Sequence, residues 1–176
     1  MGKYRARPLS RKDIRQMAHT MRGLLGIKQQ AYVDVINLLE NVLPLLYENF
    51  SYEYVPDNEM EAMGLTTPDN SKITIRESVY IGACRGNGRD RFTIMHEIAH
   101  FFLHKGLAVQ LTRGNETVKT FEDPEWQADA FAGEFLMDCD VVEGMSIEEI
   151  SSRCGVSLSA AKCQHKQYQK NKKTGY

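Results

Sequence analysis

His96-Glu97-Ile98-Ala99-His100 places two imidazoles four residues apart with a carboxylate beside the first. On a helix, residues four apart share a face with Cβ atoms about 5–6 Å apart, so both imidazoles can address one metal ion. Neutral imidazoles are good ligands for Zn2+, which lowers the pKa of water to about 7. Glu97 is then the group placed to take the proton, the candidate general base of a hydrolase whose nucleophile is water. The motif interrupts a nearly apolar run, Phe92-Thr93-Ile94-Met95 before it and Phe101-Phe102-Leu103 after it. Polar groups buried in such a run need a metal or a hydrogen-bonded network to offset their desolvation.

A catalytic zinc takes three protein ligands and keeps one position for water, so a third ligand is required. His104 continues the spacing but fails on distance. Eight residues of helix rise about 12 Å, too far from His96 to share an ion with bonds near 2 Å. His104 is therefore read as a residue of the cleft rim or of the helix end. Glu125, in Glu125-Trp126-Gln127-Ala128-Asp129, is the better candidate. Glu125 and Asp129 share a helical face, so one carboxylate can ligate while the other accepts the remaining N–H of a ligating histidine. The expected site is one Zn2+ per chain on His96, His100 and Glu125, with Asp129 behind a histidine; manganese or iron would accept the same ligands.

These residues need elements to hold them. Ser10 and Asp13 have helix-start spacing, followed by Ile14, Met17, Ala18, Met21 and Leu25 at helical intervals. A second apolar helix runs from near Tyr32 or Asp34, and Pro44 should break or kink it. Alternating runs then predict strands over Phe50–Val55, Lys72–Arg76 and Ser78–Ile81, separated by Pro56, Gly64, Pro68 and Asn70. Arg91–Leu103 reads as the helix of the motif, residues 105–123 as irregular structure covering the site, and Pro124–Met137 as a helix capped by Asp123. Ser146 and Glu149 form a capping box, Gly155 stops that helix, and Ser157 opens the last one. The expected fold is α+β, a small mixed sheet packed on helices. Residues 1–30 form a basic helical segment, 31–140 the catalytic core and 141–176 C-terminal helices of the same compact unit.

A chain of 176 residues, 42% of them hydrophobic, suits one well-buried core. No stretch approaches the roughly 20 apolar residues of a membrane span, and the basic start leads into polar sequence. The expectation is a soluble protein of the cytoplasm that touches no membrane. Cys84, Cys139, Cys154 and Cys163 have no CxxC spacing and read as free buried thiols of a reducing compartment.

The two motif segments, Arg91 to His104 and Pro124 to Met137, resemble the ImmA/IrrE family of metallopeptidases, with further similarity in Arg76-Glu77-Ser78-Val79-Tyr80 and Gly86-Asn87-Gly88-Arg89-Asp90. The resemblance implies a thermolysin-like core, zinc on His96, His100 and Glu125, and a bacterial or phage setting. It also implies a protein substrate, a helix-turn-helix repressor of a mobile element or stress response. One departure is Leu136-Met137-Asp138, where the family pattern has Leu-Met-Pro.

Peptidases of this kind add an extended substrate to a sheet edge, and Val79-Tyr80-Ile81 is the candidate edge. Tyr80, His104 and Arg91 are each available to stabilise an oxyanion, and none is singled out. Residues Ser146 to Gln169 have a helix-turn-helix outline containing Lys162, His165 and Lys166. A packing pair of helices is favoured, because the outline is short and only its end is strongly basic; nucleic-acid binding is the other reading. The intact Glu97 favours an enzyme over the alternative, a regulatory binding protein that keeps the fold without turnover.

Overall fold

Helix α1 (Arg11–Leu24) begins with the expected reciprocal cap, the Ser10 hydroxyl accepting from the Asp13 N–H while the Asp13 carboxylate accepts from the Ser10 N–H. The computed structural model describes residues 4–67, 69, 71–104, 110–111 and 118–174. Ile14, Ala18 and Arg22 form the buried face of α1. That face lies on α6 (Pro124–Leu136), where buried Glu134 accepts from Arg11 at 2.8 Å and Arg15 at 2.9 Å. The basic start of the chain is thus tied into the body by ion pairs.

Pro44 does not break its helix. The chain passes from α2 (Val35–Asn37) through a π-helical turn (Leu38–Val42) into α3 (Leu43–Leu46). The wider turn, closed by Leu43 N–H on Leu38 O, puts Pro44 in the first turn of α3, where its missing N–H costs little.

The main sheet has the order β2-β4-β3. Strands β2 (Ser51–Val55) and β4 (Lys72–Arg76) run parallel with Ser51 opposite Lys72, and β3 (Gly64–Thr66) is antiparallel to β4 with Leu65 opposite Thr74. Alternation works as expected in β4, whose Ile73 and Ile75 are buried. A two-residue pairing joins β1 (Tyr4–Arg5) to β5 (Gln110–Leu111). Most of the expected covering loop, residues 105–109 and 112–117, lies outside the described residues.

The strand expected at Ser78–Ile81 is corrected to a helix, α4 (Glu77–Cys84). Four residues of alternation fit either period. What decides is that Val79 and Ala83, four apart, both reach the core, while the Asp57 carboxylate accepts from the Ser78 N–H at 3.0 Å.

Helix α5 (Gly88–Leu103) is the centre of the fold, in contact with α4, α6 and β3. Its N-terminal turn is fastened to the C-terminal helices α8 (Ile147–Cys154) and α9 (Leu158–Thr174). Arg91, 1% exposed, donates to Gly155 O at 2.8 Å and Val33 O at 2.7 Å, with the Tyr32 ring 3.9 Å from its guanidinium carbon. Gly88 permits this approach, since a Cβ there would stand 2.4 Å from Val156 C. The cap of Ser146 with Glu149 and the left-handed Gly155 (φ 63°) follow the expectation. Ile150, Cys154, Val156 and Ala161 are buried, as in a packing pair.

Asp138 occupies the position that departs from Leu-Met-Pro. Its φ of −58° is one a proline would impose, and the side chain adds an N-cap to α7 (Cys139–Val142) and a 3.0 Å contact to His19 Nδ1 on α1.

All four cysteines are free, but only Cys154 is buried; Cys84 and Cys163 are exposed and Cys139 is intermediate. Burial pushes the Cys139 thiol up to about 11, helped by Asp138 and Asp140, and burial also raises Cys154. Thiolate is the reactive form. A disulfide reagent at about pH 8 should therefore modify Cys84 and Cys163 quickly, with Cys139 and Cys154 reacting only in denaturant. Rapid loss of all the native thiols would contradict this packing.

Candidate metal centre

Asn87 caps α5, accepting from the Arg89 and Asp90 N–H groups. Ile94, Met95, Ile98, Ala99 and Phe101 face the core. The opposite stripe presents His96 and His100, whose side chains are each 17% exposed. Their Nε2 atoms converge to 3.0 Å.

Helix α6 supplies the third group. Asp123 caps it by accepting from the Glu125 N–H at 3.0 Å, and this fixes the first turn from which the Glu125 side chain leaves. Glu125 Oε2 lies 3.3 Å from His96 Nε2, and Oε1 lies 3.5 Å from His100 Nε2. Ligands on bonds of about 2.0–2.2 Å at tetrahedral angles stand about 3.3–3.6 Å apart. The three separations lie at or just below that edge length, and two imidazoles with one carboxylate form a zinc-type donor set. Residues and spacing fit the ion.

Asp129, one turn further along α6, has Oδ1 at 2.9 Å from His96 Nδ1. This is the contact expected of the second carboxylate. Electrostatics follow the geometry. Burial opposes protonation of His96, but the bonds to Asp129 and Glu125 outweigh it and raise its pKa to about 9 without metal. The His100 and His96 rings beside it hold the Glu125 carboxyl well below the usual range.

Glu97 is 7% exposed, on the side of α5 that meets β3. Its Oε2 lies 2.8 Å from the Thr66 hydroxyl, which donates to it. Gly64 completes the fit, because a Cβ there would stand 2.6 Å from Glu97 Cγ and 2.9 Å from its Oε1. Beside the carboxylate is a cleft of about 250 Å³ lined by Met63, Gly64, Phe92, Thr93, His96, Glu97 and Asp129.

Sequence reasoning missed Gly64 and Thr66. A three-residue strand leaves no periodic signal, and only its contact with Glu97 gives it meaning. Of the two places expected for His104 the structure has the helix end, where it caps α5, and at 5% exposure it is not on the rim. His104 Nδ1 lies 2.9 Å from His100 Nδ1, and burial lowers its pKa to about 4. Val79, Tyr80 and Ile81 are helical and offer no sheet edge. Neither Tyr80 nor Arg91 is available as an oxyanion donor: the Tyr80 hydroxyl donates to Glu40, and Arg91 is occupied by backbone carbonyls.

A second convergence, His19 with Asp138 and Asp140, has the guanidinium Nε of Arg22 3.9 Å from Asp138 Oδ2. That fixed positive charge already serves as counter-ion there, and the group acts as an anchor between α1 and α7.

An α+β body with His-Glu-x-x-His on its central helix and a facing glutamate on the next helix defines a metallopeptidase-like domain. Residues 55–164 match the family model described as the IrrE N-terminal-like domain, peptidase family M78, and the chain belongs to that family. Among solved structures, a Mycobacterium tuberculosis transcriptional regulator shares the fold, with a TM-score of 0.52 and 19% identity over 87% of this chain. This chain covers 46% of that protein, about half its length. No curated protein matches the sequence.

Proposed function

We propose that the chain is a zinc-dependent endopeptidase that hydrolyses a peptide bond in a protein regulator, a DNA-binding helix-turn-helix repressor being the substrate class. The observation that carries this reading is the convergence of His96, His100 and Glu125 at tetrahedral spacing, beside a buried Glu97 that lines an open cleft. Family membership supports the peptidase class, and the repressor rests on the resemblance drawn from the motif segments. Residues 31–140 would form the catalytic core, and the setting would be the cytoplasm. No helix among the described residues is long and apolar enough to cross a membrane.

Zn2+ bound by His96, His100 and Glu125 would supply Lewis acidity to water and to the scissile carbonyl. The remaining work belongs to side chains. Glu97 accepts the proton from the attacking water and returns it to the departing amine nitrogen, as a general base that becomes a general acid. The Thr66 hydroxyl fixes the rotamer in which it does so. Asp129 holds His96 with Nδ1 protonated, leaving Nε2 free to ligate.

The substrate-binding role assigned to Val79, Tyr80 and Ile81 moves to β3, which has β4 on one side and no strand on the other among the described residues. An extended segment added along that free edge would lie next to the strand whose Gly64 and Thr66 pack on Glu97. Met63, 45% exposed, and Phe92, both of which line the cleft, then favour apolar side chains next to the scissile bond.

The test is digestion of a purified helix-turn-helix repressor by the zinc-loaded chain. Discrete fragments should appear, disappear after a chelator has removed the metal, and return when one equivalent of zinc is restored. Cleavage that survives complete metal removal would refute the assignment.

A further inference from the structure

The two histidines of the centre are oriented by different means. His96 leans on the carboxylate of Asp129, which is 64% exposed. His100 faces the interior, where its Nδ1 meets His104 and His104 Nε2 meets Gln127 Oε1 at 3.0 Å. Gln127 is fully buried, and its Nε2 lies 2.7 Å from Arg7 O and 2.9 Å from Phe121 O.

Every proton in this series of bonds follows from its far end. Backbone carbonyls only accept, so the group facing Arg7 O and Phe121 O must be the amide NH2 of Gln127. Its oxygen therefore faces His104 and accepts, which puts a hydrogen on His104 Nε2. His104 is buried between an imidazole and a neutral amide, the setting of a neutral ring with a single N–H. Its Nδ1 is then a lone pair, and it accepts from His100 Nδ1. His100 is left with its lone pair on Nε2, the atom that converges with His96 and Glu125.

We infer that His104 and Gln127 are positioning residues, a buried relay by which the carbonyls of Arg7 and Phe121 fix His100 in the tautomer that can ligate a metal through Nε2. The two carbonyls sit on segments bound to each other, with Ala6 N donating to Glu122 O at 2.8 Å and Leu9 N to Phe121 O at 2.9 Å. An Arg5–Glu122 ion pair at 2.6 Å adds to them. The segment before α1, far from the motif in sequence, thereby sets the protonation pattern of one motif histidine. In its consequence for zinc, this inference rests on the metal reading given above.

Two measurements on the full chain test it. Long-range 1H–15N spectra of the histidine rings in the metal-free wild type should show His100 protonated at Nδ1 and His104 at Nε2; the opposite tautomer at either ring overturns the relay. Zinc affinity, measured by competition with a chelating dye, should fall about 10–100-fold in His104→Phe, which keeps ring volume and loses the acceptor. His104→Asn, whose side-chain oxygen sits near the position of Nδ1, should recover most of that loss. Equal zinc affinity in wild type and a folded His104→Phe overturns the relay. If His104→Phe does not fold, the wild-type tautomers decide alone. A wild type that binds no zinc while showing the expected tautomers would refute the metal reading and leave the relay standing.

Discussion

Glu97→Gln should lower kcat/KM for peptide cleavage by about 10²–10⁴-fold, the range contributed by a positioned general base, while zinc stoichiometry and thermal unfolding stay at wild-type values. The substitution keeps shape and removes only basicity. The introduced amide would retain an oxygen for the Thr66 hydroxyl, which now donates to the Glu97 carboxylate at 2.8 Å, and it would fit the same space beside Gly64. The proposed ligands are other residues, His96, His100 and Glu125, so a loss of zinc in the variant would mean that Glu97 is structural. A biological effect that persists unchanged in a zinc-replete Glu97→Gln protein would favour the regulatory binding protein over the enzyme. The measurement pairs fragment production from a repressor substrate with metal analysis of the same preparation.

The parts of the site legible in the sequence are those whose geometry is local. His96, Glu97 and His100 lie on one helix, where spacing alone fixes relative position. Glu125 and Asp129 repeat that four-residue interval behind an N-cap, so their shared face follows once the helix is recognised. The capping boxes at Ser10 and Ser146 are local in the same sense, each needing only a residue three positions on. Pairings across the chain leave no such trace. Gly64 reads as a break between strands until its close approach to Glu97 is known, and Thr66 is an ordinary β-former. The rise of a helix excludes His104 from the metal, but nothing in the sequence sets Gln127 behind it. At Ser78–Ile81 the period is ambiguous over four residues, and Ala83 on the following turn resolves it as helix. Pro44 illustrates another limit, since the penalty of a proline inside a helix is real but a single π-turn re-registers the chain and avoids it.

Gly64→Ala should separate the placement of the general base from metal binding. A Cβ at this position would stand 2.6 Å from Glu97 Cγ, closer than carbon atoms approach, so either β3 or the Glu97 side chain has to move. The side chain is the softer of the two, because β3 is held to β4 by its register from Gly64–Ile75 to Thr66–Ile73. Alanine suits a strand as well as glycine does, and Gly64 is not among the glycines with positive φ, so its backbone conformation carries no penalty. Loss of unfolded-state freedom would itself stabilise the variant by about 0.4–1 kcal/mol, set against the steric cost of the displaced carboxylate. A displacement near 1 Å costs about 10²-fold in rate when it falls on a group that must meet the reacting atoms. The expected result is a drop of that size in kcat, with zinc affinity unchanged, because His96, His100 and Glu125 lie on α5 and α6 and the three atoms nearest the added Cβ all belong to Glu97. Wild-type kcat in Gly64→Ala would show that the position of Glu97 against β3 is not the one used in the reaction. Reduced zinc affinity with kcat restored at saturating metal would show instead that β3 supports the ligands and not the base.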